Sequence, residues 1–167
     1  MSINTHFVLI ALMLAGSAAP VLADDCALIK SAMLDTGHTP KSATTTKTDD
    51  RGKKIVTRTI QTVANKYVQT DDGKWYALNI ALKDLDDDLS GKLTCRRSGS
   101  DIVNGESAAV YEVHMDLDGG VSDDKFWVSS KNLILRSEAI IEGIQYRTEY
   151  DFSHVAPPAN ATLMVGR

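Results

Sequence analysis

Residues 109–152 read AVYEVHMDLDGGVSDDKFWVSSKNLILRSEAIIEGIQYRTEYDF, and this stretch decides the fold class. Runs rich in β-branched and aromatic residues, at 109–116, 124–129, 133–141 and 144–152, are separated by turn-forming Gly, Asn and Asp residues. Turn signals at roughly ten-residue spacing are typical of antiparallel strands that follow one another. The stretch therefore predicts an antiparallel meander.

Apolar and polar side chains alternate along each predicted strand. A period of two places alternate residues on opposite faces of a sheet, so one face is expected to pack against apolar groups and the other to contact water. Trp127 falls on the polar face by this count. The predicted apolar set is Tyr111, Val113, Met115, Phe126, Val128, Leu133, Leu135, Ala139, Ile141, Ile144, Tyr146, Tyr150 and Phe152.

The residues before the meander predict one helix followed by more strands. The helix covers 24–37, because carboxylates stand at its start, Cys26, Ile29 and Met33 recur on one face, and Gly37 offers a stop. Polar, Thr-rich residues 38–53 indicate a linker or mobile loop. Strands are predicted at 54–63, at 66–70 and 74–80 around the turn Asp71-Asp72-Gly73, and at 93–97, with an acidic helical or irregular segment at 81–91.

The simplest assembly is an α+β domain: a curved antiparallel β-sheet, forming an open half-barrel, with the N-terminal helix on its apolar face. We expect a signal peptide at 1–23, a single domain at 24–158 and a loosely ordered tail at 159–167, where Pro157-Pro158 precedes a stretch with little periodicity.

The first 23 residues have the layout of a secretory signal. They contain no Asp, Glu, Lys or Arg, and an apolar run, FVLIALML, precedes Val21-Leu22-Ala23. A membrane anchor is the alternative, but the run falls short of the roughly 20 residues that cross a bilayer. Cleavage near Ala23 predicts a periplasmic or secreted chain with no membrane span. Lipidation at Cys26 is disfavoured by Asp24 and Asp25 directly before it.

The two cysteines, Cys26 and Cys95, are expected to form a disulfide bond in an oxidising compartment. Closing a loop of about 70 residues stabilises the fold by roughly 4 kcal/mol on the chain-entropy argument. Two buried free thiols remain the alternative. The net charge of −4 gives no case for nucleic acid or an anionic membrane, which would need a basic patch.

The meander resembles a known family. Its strands AVYEVHMD, KFWVSS and LILRSEAII and the closing YRTEYDFSHVAPP are similar to those of periplasmic lipoprotein-carrier proteins, the LolA/LolB-like half-barrel superfamily, over about residues 105–158. The resemblance implies an open β half-barrel around a hydrophobic cavity. The disulfide and the acidic segment at 81–91 are departures from the family pattern, and no family binding residue transfers to this chain.

No catalytic or metal-binding constellation is evident. His38, His114 and His154 lack ligand spacing, and the Asp-rich segment starting at Asp84 has Leu89 where an EF-hand loop needs Gly. Gly105-Glu106-Ser107 lacks the second glycine of a nucleophile elbow. The chain is therefore predicted to be a non-enzyme without metal or cofactor.

Two functions remain open. One is a periplasmic carrier with a hydrophobic cavity for a lipid or another acyl-like small molecule. The alternative to this leading function is an envelope or secreted interaction protein that binds another protein, such as an envelope protein, for example across an exposed strand edge, and whose apolar face is ordinary core. For the carrier, the candidate ligand-binding residues are Tyr111, Val113, Met115, Phe126, Val128, Leu135, Tyr146 and Tyr150.

Overall fold

The computed structural model describes residues 24–80, 92–117 and 120–163. The expected signal peptide at 1–23 and the acidic segment at 81–91 lie outside the described residues, as do 118–119 in a predicted turn and the end of the tail at 164–167.

The predicted helix forms α1, Asp25–His38. Asp24 is its N-cap, and the Asp24 side chain accepts a hydrogen bond from the Cys26 N–H at 3.1 Å. The buried side chains of α1 are Ile29, Ala32 and Thr36, whose spacing of three and four residues places them on one face. This face is the one that α1 turns to the sheet.

Ten strands form one sheet in the described residues. They are β1 (Lys41–Thr48), β2 (Lys54–Gln61), β3 (Lys66–Gln69), β4 (Trp75–Leu78), β5 (Lys92–Val103), β6 (Glu106–Leu117), β7 (Gly120–Ser129), β8 (Ile134–Ile141), β9 (Ile144–Asp151) and β10 (Thr162–Leu163). Their order across the sheet is β10-β4-β3-β2-β1-β9-β8-β7-β6-β5. All neighbours are antiparallel except β10, which runs parallel to β4 and lies in the predicted tail.

The predicted meander is confirmed as β6–β9, and β5 extends it by a further strand. Two of its connections are two-residue turns, Asn104-Gly105 and Glu142-Gly143, in which both residues have positive φ. Turns of this kind match the right-handed twist of the strands they join. The predicted α+β half-barrel, an open sheet with one N-terminal helix, is thereby confirmed.

The predicted linker at 38–53 is wrong. Residues 41–48 form β1, which pairs with β2 on one side and with β9 on the other. Four threonines give this strand β-branched side chains but no apolar alternation. β1 is a central strand because it is paired on both sides. The polarity of its residues could not indicate this position.

The core consists of two clusters on opposite faces of the sheet. The first lies under α1 and contains Ile29, Ala32, Tyr111, Val113, Phe126, Val128 and Ile134. The second lies on the other face and contains Val103, Ala108, Val110, Trp127 and Leu135, with Phe152 packed against it. We call the face that carries α1 the inner face and the other the outer face.

Two residues, Leu135 and Phe152, lie on the outer face and not on the predicted apolar face. Trp127 lies on its predicted face but is buried there in the outer cluster. The reason at Leu135 is a β-bulge: Trp127 pairs with Arg136, whereas Val128 pairs with Ile134. The extra residue reverses the alternation at this point.

Candidate functional site

The inner face of the half-barrel is the predicted site, and α1 packs on part of it. Ile29 and Ala32 are 0% exposed and pack against the inner cluster on β6, β7 and β8. The sheet surface that sequence periodicity assigned to a ligand is thus covered by the protein's own helix.

The start of α1 is fixed to the edge strand β5. Cys26 and Cys95 form the expected disulfide bond, with their Cα atoms 5.1 Å apart. One residue earlier, the Asp25 carboxylate accepts a hydrogen bond from the Arg97 N–H at 3.0 Å. A covalent bond and a charge-assisted hydrogen bond therefore hold the first turn of the helix against β5.

The end of α1 is fixed to the turn before β8. The Thr36 hydroxyl oxygen accepts a hydrogen bond from the Ile134 N–H at 2.8 Å. The Asn132 amide donates to the Asp35 carboxylate at 2.6 Å and to the Ser31 hydroxyl at 2.8 Å. Because both ends are attached, opening the inner face would require breaking contacts at β5 and at β8.

Lys41 links α1 to β1. Its ammonium donates to the carbonyl oxygens of Thr36 at 2.6 Å, Gly37 at 3.1 Å and Thr39 at 3.2 Å, where the helix ends. Burial, with the nearby Lys66 charge, lowers the pKa of Lys41 to about 8. The three carbonyl oxygens favour the charged form and oppose this fall.

Six of the eight candidate ligand-binding residues belong to the packed region under α1. Tyr111, Val113, Phe126 and Val128 are buried members of the inner cluster, and Met115 and Tyr150 pack against it. Leu135 lies in the outer cluster.

Tyr146, the eighth candidate, lies on the inner face outside the cluster. It pairs with Ala139 on β8 and with Lys47 on β1. The Lys47 Nζ stands 5.7 Å from the centre of the Tyr146 ring, within the range of a cation–π contact. Tyr146 is therefore the one candidate that is half-buried away from the helix.

The inner face beyond α1 is rich in hydroxyl groups. Ser137, Thr148, Thr45 and Thr57 pair in register across β8, β9, β1 and β2. The Thr45 and Thr148 hydroxyls are 3.0 Å apart and share a hydrogen bond. This part of the inner face carries hydroxyl groups, whereas the part that α1 covers is apolar.

One carboxylate is buried on the inner face. Asp124 is 8% exposed and lies between Val113 on β6 and Ala139 on β8. It accepts a hydrogen bond from the Ser122 hydroxyl at 2.7 Å. Burial is the main cause that raises the pKa of Asp124, and the neighbouring Asp123 charge adds to the effect. The predicted strand at 124–129 already placed Asp124 on the same face as Phe126 and Val128, but a carboxylate was not expected to be buried there.

The outer face carries a charged network around Trp127. The Lys125 Nζ and the Arg136 guanidinium lie 5.4 and 5.2 Å from the Trp127 ring, and the indole N–H donates to Asp101 at 3.0 Å. The Arg136 guanidinium also lies 3.3 Å from the Glu149 carboxylate. In the sequence, the signal for this arrangement is a tryptophan on the same predicted face as charged residues.

Neither a metal centre nor a membrane-spanning helix is found within the part of the chain that the structure describes. No group of three or more His, Cys, Asp or Glu side chains in 24–80, 92–117 and 120–163 is placed to hold a metal ion. Among the same residues, no helix has the length and apolar character needed to cross a bilayer.

No family model and no curated protein sequence matches the chain. Solved structures do. MucB superposes with a TM-score of 0.53 at 15% identity, covering 80% of this chain and 60% of MucB. In the MucA/MucB complex from Pseudomonas aeruginosa, the TM-score is 0.51 at 14% identity over 81% of this chain and 59% of the matched one.

Two further structures are similar at lower TM-scores. The lipoprotein LppX of Mycobacterium tuberculosis gives 0.49 at 12% identity, covering 79% of this chain and 98% of LppX. A LolA superfamily protein from Nitrosomonas europaea gives 0.31 at 8% identity, covering 77% of this chain and 92% of that protein. The predicted resemblance is confirmed at the level of the fold alone, which the chain shares with MucB at TM-scores of 0.53 and 0.51 and identities of 15% and 14%.

Proposed function

We propose that this chain is an exported envelope protein that acts by binding another protein, without catalysis. The observation that carries the proposal is the filling of the predicted ligand face by α1. Ile29 and Ala32 are completely buried there, so the space that an acyl chain would need is taken by the helix. An apolar face packed in this way acts as a core, as in the second of the two functions that the sequence left open.

Attachment of α1 at both ends supports the same reading. A carrier that loads through this face would have to move the helix, whose first turn is bonded covalently to β5. The Thr36–Ile134 hydrogen bond at the other end is buried, and breaking it would leave two polar groups without partners. Recognition is therefore assigned to surfaces outside the inner cluster.

A structural neighbour offers an analogy. MucB, which has a similar fold, is known in complex with MucA. By that analogy a half-barrel of this kind can serve as a docking platform for a protein chain.

A hydrophobic-ligand carrier is the second candidate, and one observation favours it. Tyr146, Ala139, Ile141 and Ile144 lie together on the inner face beyond α1, where β8 and β9 meet. None of the four is fully buried, so a small apolar ligand could contact them. This strip is smaller than the face that the sequence predicted and lies beside hydroxyl-bearing strands.

Native mass spectrometry of protein purified gently from an exporting host tests the choice between the two functions. For an interaction protein we expect the mass of the unliganded chain and no saturable binding of a fluorescent fatty acid. A co-purifying lipid, or saturable fatty-acid binding that Tyr146→Ser abolishes, would replace the proposal by the carrier.

In-cell photo-crosslinking tests the protein partner. A photoreactive residue at Ile140, which is 53% exposed, is compared with one at Leu28 on the outer side of α1. We expect one position to give a discrete adduct with one envelope protein and the other to give none. Absence of a discrete adduct at every exposed aliphatic position would contradict a protein partner.

The same preparation tests export. We propose Asp24 as the mature N-terminus, without lipid on Cys26. The intact mass should equal that of residues 24–167 with the disulfide bond formed, and a mass increase for a diacylglyceryl group would contradict it.

A further inference from the structure

The first half of β2 has an open backbone edge. β3 pairs only with Thr59, Ile60 and Gln61, although β2 begins at Lys54. The register places Gln69, the last residue of β3, beside Arg58, so residues 54–57 are paired with β1 on one side only. In the described part of the chain, no strand covers the other side of these four residues.

The hydrogen-bonding pattern shows which groups face this edge. The Asp49 N–H donates to the Lys53 carbonyl at 3.0 Å, so this pair is hydrogen-bonded across the β1–β2 turn. Antiparallel pairs alternate between bonded and non-bonded. Lys54, Val56 and Arg58 therefore direct their N–H and C=O groups away from β1. Those of Arg58 face Gln69 of β3, and those of Lys54 and Val56 face the open side.

The pairing at the other end of β2 supports this phase. The Thr62 N–H donates to the Asn65 carbonyl at 2.9 Å, and Ile60 pairs with Tyr67 two residues further along. Ile60 belongs to the same alternate set as Val56 and Arg58, and its backbone meets β3. The outward backbone groups of these alternate residues are thus paired with β3 at Ile60 and unpaired at Val56, within one strand.

A groove runs along the open edge. It has a volume of about 560 Å³, and the β3–β4 turn forms its far wall, with Gln69, Thr70 and Asp71 among the lining residues. Val56 is 52% exposed and Ile55 41% exposed, so apolar side chains stand on both faces of the strand that borders it. The groove therefore offers backbone hydrogen-bonding groups together with apolar contact area.

The surrounding charge is positive in an acidic protein. Residues 41–61 contain six Lys or Arg and two Asp, a net charge of +4, in a chain whose net charge is −4. Lys54 and Arg58 share a face with Val56 and are exposed. The Asp49 carboxylate accepts the N–H groups of Arg51 and Lys53 and so belongs to the turn itself. The net charge of −4 for the whole sequence does not indicate this basic patch.

The edge strand β5, in contrast, is protected. The Asp25 carboxylate accepts the Arg97 N–H, the Asp101 carboxylate accepts the Ile102 N–H at 2.7 Å, and a bulge follows Arg97. Such features prevent unwanted strand pairing. At Lys54 and Val56, no hydrogen bond from a side chain of the described residues to the outward backbone groups is found.

We propose that the open edge of β2 at residues 54–57 is a docking site for an extended, acidic segment of a partner protein, which adds to the sheet as a strand. Its backbone would pair with Lys54 and Val56, its carboxylates would face the side chains of Lys54 and Arg58, and its apolar side chains would lie beside Ile55. The inference deepens the proposed function and rests on it for the existence of a protein partner.

A synthetic peptide in which glutamate and valine alternate is the probe, titrated into the mature, oxidised protein at low salt. We expect saturable binding, with the amide hydrogens of Lys54 and Val56 gaining protection from exchange while those of β5 do not. The same peptide with alternate backbone N-methylation should lose binding, because it cannot pair as a strand.

Val56→Pro is the decisive variant. It removes an N–H that makes no bond to β1, so the fold should survive, and the peptide affinity should fall by about tenfold or more. Val56→Ala is the matched control, which keeps the N–H and should bind within about threefold of the parent. The double variant Lys54→Glu, Arg58→Glu should bind the peptide more weakly, and its binding should depend less on the salt concentration.

Three results would overturn the proposal: no binding to the parent, equal binding to Val56→Pro, or equal binding of the N-methylated peptide. Equal binding of the N-methylated peptide would show that the peptide binds by ionic attraction and not as a strand. These measurements use a defined peptide and purified protein, so they can fail while in-cell crosslinking still finds a protein partner at another surface. Conversely, a bound lipid would overturn the proposed function without altering the peptide result.

Discussion

Ile134 and Leu135 are neighbours in sequence but lie in different hydrophobic clusters on opposite faces of the sheet. Ile134 packs under α1 with Val128, while Leu135 packs with Trp127 and Val110 on the outer face. The bulge between β7 and β8 thus places Leu135 in the outer cluster, and the sheet has a core on each side. The outer face is therefore not simply the solvated side of the half-barrel.

The outer cluster should contribute to stability as strongly as an ordinary core. Trp127 is 5% exposed, so Trp127→Ala should lower the free energy of unfolding by about 3–5 kcal/mol. Lys125→Ala, the control, removes only one cation from the ring face and should cost about 0.5–1 kcal/mol. Urea denaturation measures both, and equal small losses would contradict a packed outer core.

The disulfide bond should stabilise the fold substantially. It closes a loop of 69 residues, so Cys26→Ala with Cys95→Ala should lower the free energy of unfolding by roughly 4 kcal/mol, less any compensation in the native state. Thiol titration of the denatured, unreduced parent should find no free thiol. If the double variant melts with the parent, the bond contributes nothing to stability.

Polar substitutions on the inner face should divide into two classes. Val113→Asp places a charge in the cluster under α1 and should unfold the domain, because burying an unpaired carboxylate costs several kcal/mol. Tyr146→Ser, outside the cluster, should leave the melting temperature almost unchanged. Circular dichroism during thermal unfolding measures both, and unfolding of both variants would extend the core beyond α1.

Asp124 should make stability depend on pH. Burial raises its pKa in the folded state, so the folded protein binds the proton more tightly than the unfolded chain does. Stability is therefore lost as pH rises through the folded pKa. Asp124→Asn should raise the melting temperature at pH 7, and the gain should disappear below about pH 4, where the unfolded carboxyl is also protonated.

Asp116→Asn is the control for this measurement, because Asp116 is exposed on the neighbouring strand. It should leave the pH dependence unchanged. If Asp124→Asn instead destabilises the protein at both pH values, the carboxylate supplies a contact that an amide cannot replace.

The sequence alone determined the parts of this protein that depend on local chemistry. The helix at Asp25–His38 follows from its cap and its apolar spacing, and strands β6–β9 follow from period-two alternation between turn residues. Two cysteines in a chain that is expected to be exported were enough to predict the Cys26–Cys95 bond. The signals for the helix and for the strands each lie within a few residues of the chain, and two cysteines allow only one disulfide pairing.

Tertiary structure decided the rest, because the deciding contacts join residues far apart in the chain. β1 is central only because β9, about 100 residues later, pairs with it, and its threonines carry no apolar pattern that could show this. Leu135 changes face because of a bulge that depends on the register between β7 and β8. Likewise, α1 rather than a ligand covers the inner cluster, and β3 is too short to cover the start of β2. Alternation fixes which residues share a face within a strand, but pairing between strands fixes what that face meets.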